Sequence, residues 1–527
     1  MAYQRRQFLS SAARAAVGFP LCKALSNAQA VTVRSSSGRE KSEPSRRLDV
    51  ALFSDVEDIF NPPEFGNDDS IKEIATVLTE EGLRANFLVI GERARVLKER
   101  NRKDVIASLR PHEVGLHTRS AYHPEVPEYV AGKSWEEGVA ECLKHEREGR
   151  EIICDVFGKP CVALSSHYLY IAPHAQRAAA ILGLPYVYAT PAAPPLYGLS
   201  WYAGALGLPQ DSPTLNGKPI LPYMEGFDDK YPDDRTFEAY LSKLDERINI
   251  CLAEGQPYLT LFVIHPQRVR LKDFVDVYWC PNGVNYPKDR WGMYGRPPQY
   301  TPEQVRTLLA NVRRLAHWIR HDPRLNVMTV PELVGKYGRQ PASISREELR
   351  DAAREITAGD EVLIHPRFSP AEILVGLSQA LVSSAELGQL PSDVSRHDVL
   401  GPTRSPIWIA ELQGCNQQTA VRLARQLLDH TKTTGQLPAT LGEPLERVGI
   451  NHLYRAFAEF YLAIDSGSAL TEVKFRRMPP WPNLASPIGI TYMKAVEGEL
   501  MNPDMEVNTL YRDGKLQTWT LKPAVAV

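Results

Sequence analysis

Three stretches in the first half of the chain carry residues that could act on a substrate together. Residues 55–58 (Asp-Val-Glu-Asp) offer three carboxylates, His117 and His123 flank a short loop, and His265 follows an apolar run. Two histidines and one carboxylate form a common catalytic zinc shell with one position open for water. Such a metal lowers the pKa of its water toward about 7 and polarises a carbonyl oxygen. A nearby carboxylate can then accept the water's proton, and a separate acid protonates the leaving group. The residue types therefore predict a metal-dependent hydrolase.

Each of these features also has a plainer explanation when it is taken alone. An acidic run such as 55–58 is commonly a solvated turn or a helix cap. A single histidine at the end of a strand is commonly a hydrogen-bonded structural residue, and His123 precedes a proline, as turn residues do. Together, however, the features favour a shared site, because all four follow one another along the chain, each at a strand end. They are the acidic run 55–58, His117, His123 and His265.

The elements that position these residues alternate between strand and helix. Strands are predicted at 48–53, 86–90, 113–116, 161–164, 186–188, 258–264 and 326–330. Helices are predicted at 70–81, 135–150, 176–182, 237–254 and 302–320. This alternation predicts parallel strands joined by helices, in a barrel or an open sheet. Asp55, His117 and His265 then fall at the carboxyl ends of strands, where such folds carry their catalytic residues.

Several motifs in this region resemble one known family. Residues 82–92 (GLRANFLVIGE) are similar to its GIRATFFVVGE segment, 113–118 (EVGLHT) to its EIGNHT segment, and 53–58 (FSDVED) to a VDVED form of its first motif. Residues 262–265 resemble its late LxH motif, and residues 327–333 its closing strand. In this order the segments resemble the NodB-homology polysaccharide deacetylases of carbohydrate esterase family 4.

The resemblance implies an α/β fold, a distorted (β/α) barrel of the NodB-homology type over residues 48–337. It also implies a divalent metal ion, zinc or a similar ion, and hydrolysis of N- or O-linked acetyl groups on a polysaccharide or glycan. By position, Asp55 would be the base and His265 the acid. The implied metal ligands are His117, His123 and Asp58, with Glu57 as the alternative to Asp58.

The sequence departs from the family pattern in three places. The two histidines are six residues apart instead of four, and the second Asp of the family's Asp-Asp pair is displaced by two. The Arg-x-Pro-Tyr-Gly motif appears only as 170–175 (YIAPHA), without the arginine that orients the base. His167 or His174 could substitute, although a plain surface histidine is the favoured interpretation of either. Two alternatives therefore stand beside the deacetylase: a non-catalytic glycan-binding protein on the same barrel, and a deacylase of small N-acyl compounds.

Substrate contacts are expected from side chains near this site and from aromatic loops. Aromatic rings can stack on sugar rings, although packing on the barrel rim explains them equally well. The loop after His265 runs for about thirty residues, a length that is usually functional when it is not disordered. The predicted substrate-binding residues are Tyr122, Pro173, His174, Trp279 and Trp291.

The first residues are typical of an export signal. An Arg pair at 5–6, an apolar stretch at 12–25 and Ala-Gln-Ala at 28–30 follow one another as in a twin-arginine signal peptide. We therefore expect a signal at 1–30, a linker at 31–47, and a periplasmic or secreted protein. No later run reaches the ~18 apolar residues of a membrane span. The net charge of −2 gives no electrostatic reason to expect nucleic acid as a partner.

The part of the chain after the barrel is predicted to be mostly helical. The tetrapeptide Gly-Gln-Leu-Pro occurs at 388–391 and at 435–438, each time after an amphipathic helix (371–387 and 418–434), which indicates an internal repeat. The repeats weakly resemble pseudomurein-binding-type wall repeats, which would imply binding to a cell-envelope polymer; a helical domain that packs on the barrel is the alternative. We assign a helical repeat domain to 338–466 and a small strand-rich segment to 467–527.

Overall fold

In the computed structural model, Leu48–Val527 forms one compact unit. The structure describes residues 47–167, 172–190, 199–209, 214–215, 218–219, 228–253, 255, 258–274, 285, 295–406, 413–443, 447–482 and 505–525. The expected signal peptide and all but the last residue of the linker lie outside these ranges, as do Trp279 and Trp291. None of the helices in the described ranges has the length and hydropathy that a membrane span requires.

The described strands are numbered in chain order. They are β1 Leu48–Val56, β2 Asn86–Val89, β3 Glu113–Leu116, β4 Leu164–Ser165, β5 Val187–Thr190, β6 Ser200–Tyr202, β7 Ala205–Pro209, β8 Thr214–Leu215, β9 Lys218–Pro219, β10 Tyr258–Phe262, β11 Leu325–Met328, β12 Ser343–Ser345, β13 Asp393–Ser395, β14 Gly414–Asn416, β15 Thr440–Leu441, β16 Val448–Gly449, β17 Glu472–Lys474 and β18 Lys522–Pro523.

The described helices are numbered in the same way. They are α1 Asn67–Glu80, α2 Gly91–Glu99, α3 Lys103–Ser108, α4 Val126–Val130, α5 Trp135–Phe157, α6 Pro173–Ile181, α7 Asp234–Ala253, α8 Pro302–His321, α9 Val330–Tyr337, α10 Arg346–Ala358, α11 Pro370–Leu387, α12 Gln417–Thr434, α13 Ile450–Ser466 and α14 Val507–Gln517. Three 3-10 turns add Pro63–Phe65, Pro266–Val269 and Thr518–Thr520.

One curled sheet organises the first part of the chain. Its strand order is β10-β1-β2-β3-β4-β5-β7-β6-β18, and β11 pairs with the first half of β1. The pairings from β10 through β7 are parallel, whereas β6 and β18 join antiparallel. Helices flank this sheet, since each parallel pair needs a crossover to return the chain to the same end. The predicted distorted (β/α) barrel, followed by a region rich in helix, is confirmed.

The sheet is buried on both of its faces. On β1, Val50 and Leu52 join the large cluster under the flanking helices, whereas Ala51 and Phe53 face a second cluster with Tyr188. Successive strand residues point to opposite faces, so both sets must be apolar. This explains why every residue of Leu48–Phe53 except Asp49 is apolar.

The helical region has a hydrophobic core of its own, built mainly from α10, α11, α12 and α13. Its two Gly-Gln-Leu-Pro segments follow helices in the same way. Gly388 ends α11 with φ 74° and Gly435 ends α12 with φ 70°, a left-handed cap that glycine adopts at low cost. The repeat seen in the sequence is therefore also a repeat of local structure.

In the last segment, residues 467–527, the described range 467–482 contains β17. Residues 505–525 form α14, a 3-10 turn and the two-residue strand β18. Leu510 of α14 packs into the core under the barrel, and β18 pairs with β6 at the edge of the barrel sheet. The chain thus returns to the barrel after the helical region.

Candidate metal centre

The acidic cluster lies where β1 ends. Asp55 is on β1, and Glu57 follows its last residue, Val56. Side chains two residues apart on an extended chain point to the same face, so both carboxylates face the same way. His117 comes directly after β3, and His265 comes three residues after β10. β10, β1 and β3 belong to one parallel sheet, with only β2 between β1 and β3, so their carboxyl ends bring the four side chains together.

Three of these residues form a compact group of metal-ligand type. Asp55, Glu57 and His117 each offer one ligand atom, and the three atoms lie within 4.8 Å of one another. His117 Nε2 is 3.0 Å from Glu57 Oε1 and 3.9 Å from Asp55 Oδ2. On its other side, His117 Nδ1 contacts Ser165 Oγ of β4. Such a partner fixes the orientation of the imidazole.

His265 faces the same carboxylates from the other side of β1. Its Nε2 is 3.5 Å from Glu57 Oε1 and 4.0 Å from Asp55 Oδ2. Its Nδ1 lies 3.0 Å from Asp228 Oδ2, and its backbone N–H donates to Asp228 Oδ1 (3.0 Å). Gln267 Nε2 donates to Glu57 Oε2 (2.9 Å). The Asp228 carboxylate therefore fixes both the ring and the backbone of His265.

Burial and the neighbouring charges of this cluster have opposite effects on the pKa values of Asp55, Glu57 and His265. Burial raises the pKa of Asp55 to about 6, against the lowering effect of His117 and His265. Burial also raises the pKa of Glu57, but the charge of His265 and the hydrogen bond with His117 hold it well below its usual range. Burial lowers the pKa of His265, yet Asp228 and Glu57 together raise it well above its usual range. The cluster therefore favours an ionised Glu57 beside a protonated His265.

The donor atoms fit a divalent metal ion. In a tetrahedral site with ligand distances of about 2.0–2.2 Å, the donors lie about 3.3–3.6 Å apart. The separations of 3.0 and 3.9 Å from His117 Nε2 bracket this value. Asp55 Oδ1 is buried and has no hydrogen-bond partner among the described residues. Buried carboxylate oxygens are normally hydrogen-bonded or bind a metal, so with Oδ2 on the ion, Oδ1 would be satisfied by a water molecule that the ion holds.

Asp58, the predicted third ligand, is not part of this group. Its Oδ1 accepts from the backbone N–H of Phe60 (3.1 Å) and of Asn61 (3.0 Å), and its Oδ2 accepts from Asn67 Nδ2. The carboxylate thus holds the turn after β1, a common role of Asp. The structure brings Glu57, the alternative ligand, into the position that the sequence analysis gave to Asp58.

His123, the predicted second histidine ligand, also lies outside the three-residue group. Its Nδ1 is 2.7 Å from Glu128 Oε2, and its backbone N–H donates to Asn285 Oδ1 (2.8 Å). The peptide bond to Pro124 is cis. Burial lowers the pKa of His123, but the hydrogen bond with Glu128 raises it overall. The six-residue spacing therefore leads to a turn anchored by Glu128.

Of the two histidines weighed as substitutes for the missing arginine, the structure brings only His167 to the cluster. His167 Nε2 is 4.0 Å from Glu57 Oε2, its Nδ1 is 3.1 Å from Glu125 Oε1, and its ring meets the His117 ring edge-on at 5.8 Å. His174, by contrast, is fully buried on α6, 3.3 Å from Asp513 Oδ2 of α14.

The predicted substrate-binding residues are placed in different surroundings. Pro173 is buried as the first residue of α6, and its neighbour His174 packs against Trp135 (4.9 Å between ring centroids). It is the contact of His174 with Asp513 that joins α6 to α14. Tyr122 is half-buried and meets Phe60 edge-on at 5.6 Å, in a small apolar cluster beside the acidic turn. Trp279 and Trp291 lie outside the described residues.

The sequence analysis did not single out four polar residues that complete the site: Ser165, Asp228, Gln267 and Glu125. Ser165 is on β4, so the rule that active residues follow parallel strands could have found it. Gln267 is two residues after His265 and could have been found by its proximity. Glu125 is two residues after His123 and could have been found in the same way, whereas Asp228 lies 37 residues before His265 and carries no local pattern.

No family model and no curated protein matches this chain. Among solved structures, similar chains include a protein from Mycobacterium smegmatis assigned as a polysaccharide deacetylase, at 13% identity and TM-score 0.35, covering 57% of this chain and 93% of that one. An allantoinase aligns at 11% identity and TM-score 0.35 over 60% of this chain and all of its own. A pseudoenzyme of carbohydrate esterase family 4 from Bacillus anthracis aligns at 11% identity and TM-score 0.28, covering 55% of this chain and 66% of its own. Similarity at this level does not choose among activities.

Proposed function

We propose that Asp55, Glu57 and His117 hold a divalent metal ion, and that the chain is a metal-dependent hydrolase that removes acetyl groups from a polysaccharide or glycan. The observation that carries the proposal is the buried group of two carboxylates and one imidazole, with Asp55 Oδ1 lacking a hydrogen-bond partner among the described residues. Zinc suits this mixed nitrogen and oxygen donor set. The polymeric substrate rests on the sequence resemblance.

A bound metal would polarise the acetyl carbonyl and lower the pKa of a water molecule at the site. Asp55 has one oxygen toward His117 and His265 and one without a hydrogen-bond partner in the described part of the chain, so Oδ1 can accept the water's proton. The Nε2 of His265 faces the carboxylates, and in the protonated ring this atom would deliver a proton to the departing nitrogen or oxygen. Asp228 holds His265 in that orientation through Nδ1.

A small N-acyl compound is the second candidate substrate, because the centre is deeply buried. Asp55, Glu57, His117 and His265 expose 3%, 7%, 1% and 7% of their surface. A polymer chain needs an open groove, whereas a short acyl amine can enter an enclosed site. Export by the twin-arginine route to the periplasm or beyond, and attachment to an envelope polymer through the repeats, stay predictions of the sequence.

Metal content and acetate release test this proposal together. After dialysis, we expect elemental analysis to find about one tightly bound divalent ion per chain, and this ion to be lost in His117→Ala. Metal-loaded protein is expected to release acetate from acetylated chitooligosaccharide or acetylated xylan, and Asp55→Asn to abolish release. Asp155→Asn is the matched control, since Asp155 is exposed and pairs with Lys98 on the surface.

The alternatives give different results in the same assay. Turnover of short N-acyl amines alone would assign the second candidate. Metal-loaded protein that releases acetate from neither class would contradict the hydrolase, and glycan binding by that inactive protein would assign the non-catalytic alternative.

A further inference from the structure

A second pair of histidines lies on the surface at the end of α8, outside the candidate metal centre. His317 and His321 are one helical turn apart, and both are exposed. Their ring centroids are 4.1 Å apart, with 33° between the ring planes. Histidines at positions i and i+4 share one face of a helix, which is the spacing by which helical zinc sites present two imidazoles to one ion.

The hydrogen bonds of these rings leave the same nitrogen available on each. His317 Nδ1 donates to Glu81 Oε2 (3.1 Å), and His321 Nδ1 donates to the carbonyl oxygen of His317 (2.8 Å). A neutral imidazole that donates through Nδ1 has its lone pair on Nε2. Metal-binding histidines typically donate their other nitrogen to a carboxylate or a backbone carbonyl, as these two do.

The local electrostatics also suit a cation. His321 is the last residue of α8, and Glu81 is the C-cap of α1, so two helix carboxyl ends meet here. Each carries a partial negative charge that stabilises cations nearby. Arg313 opposes this effect, because it donates to Glu81 Oε1 (3.3 Å). Its hydrogen bond leaves Glu81 Oε2 for His317.

We propose that His317 and His321 form a surface binding site for a divalent transition-metal ion of the zinc, nickel and copper class. The ion is bound by the two Nε2 atoms, water completes its coordination, and Glu81 holds His317 in position. Two imidazoles select these metals over Mg²⁺ and Ca²⁺, which prefer oxygen ligands. This site does not depend on the function proposed for the buried centre.

Isothermal titration calorimetry with Zn²⁺ tests the site in the full chain. In a His117→Ala background, which removes the buried centre, we expect one equivalent of Zn²⁺ to bind. Adding His321→Ala turns two-point binding into one-point binding and should weaken the affinity at least about a hundredfold. Glu81→Gln removes an outer carboxylate and should weaken it about tenfold. Mg²⁺ should give no binding heat.

His397→Ala is the matched control, since His397 is exposed in a described loop and has no second histidine within four residues along the chain. It should leave Zn²⁺ affinity unchanged. Circular dichroism checks that the variants fold, which their exposed positions favour. The proposal is overturned if the His117→Ala protein binds no Zn²⁺, or if His317→Ala and His321→Ala bind it as tightly as their parent. Failure of acetate release would leave these results unaffected.

Discussion

Glu57 and Asp58 are adjacent in the sequence, but Glu57 lies beside His117 and Asp58 accepts hydrogen bonds from the following turn. Substituting each residue in turn tests whether only Glu57 binds the metal. Glu57→Gln removes a carboxylate whose Oε1 is 3.0 Å from His117 Nε2 and whose Oε2 accepts from Gln267. Loss of a residue that only supports a ligand costs about 10–100-fold in metal affinity. Loss of a direct ligand should therefore cost at least the upper end, about a hundredfold.

This loss can be read as a change in stability. A metal ion at a thousand times its Kd stabilises the folded chain by about 4.1 kcal/mol, whereas at ten times Kd it contributes about 1.4 kcal/mol. At that fixed metal concentration, Glu57→Gln should therefore forfeit about 2.7 kcal/mol of metal-dependent stabilisation. Urea unfolding with and without Zn²⁺ measures the difference, and calorimetry measures the affinity directly.

Asp58→Asn is the matched control and should behave in the opposite way. The amide oxygen can still accept from the N–H groups of Phe60 and Asn61, but the charge and the Asn67 contact are lost. We expect unchanged zinc affinity and a stability loss of about 1–3 kcal/mol with or without metal. If Asp58→Asn abolished zinc binding while Glu57→Gln kept it, the assignment of the cluster would be wrong.

Three further predictions concern catalysis and pH. Asp228→Asn should lower kcat for acetate release about a hundredfold with little change in KM, because it loosens His265 without touching the metal ligands; an unchanged kcat would remove His265 as the acid. Burial lowers the pKa of His112 to about 4. The unfolded chain therefore takes up the proton first, and about 3 kcal/mol of stability is lost as the pH falls from about 6.5 to 4. Urea unfolding should show a shallower loss over this range in His112→Gln, and equal slopes would contradict the reasoning. Burial raises the pKa of Glu146 to about 7, so its stability contribution is lost as the pH rises from about 4.5 to 7. Glu146→Gln should accordingly be more stable than the parent at pH 8, by up to about 3 kcal/mol, and not at pH 4; the reverse order would show that the buried carboxyl is ionised at no cost.

The barrel could be predicted from the sequence because its strands are short, apolar and separated by helices of regular period. The same pattern placed Asp55, His117 and His265 at strand ends, and the structure brings them together. The predicted β1 ended at residue 53, whereas the strand runs to Val56. Its alternation beyond residue 53 is what puts Glu57, and not Asp58, on the face of Asp55.

Other parts of the site depend on contacts that no local pattern records. Asp228 reaches His265 across 37 residues of chain. Glu125 reaches His167 across 42 residues. His174 lies in a segment that resembles a family motif, but its surroundings are decided by a helix more than three hundred residues away. Similarity to the family motif drew attention to residues 170–175, but only the fold shows that α14 covers His174.

The return of the chain to the barrel has a consequence for the order of folding. β18 completes the edge beside β6, and Tyr202 Oη donates to the carbonyl of Gly514, 312 residues away. At about 5–20 residues per second, synthesis needs on the order of half a minute to span that distance. Until then the N–H and C=O groups of β6 are open to pairing with another chain. We therefore expect nascent and C-terminally shortened chains to aggregate through this edge, so that the final residues protect the barrel from its own copies.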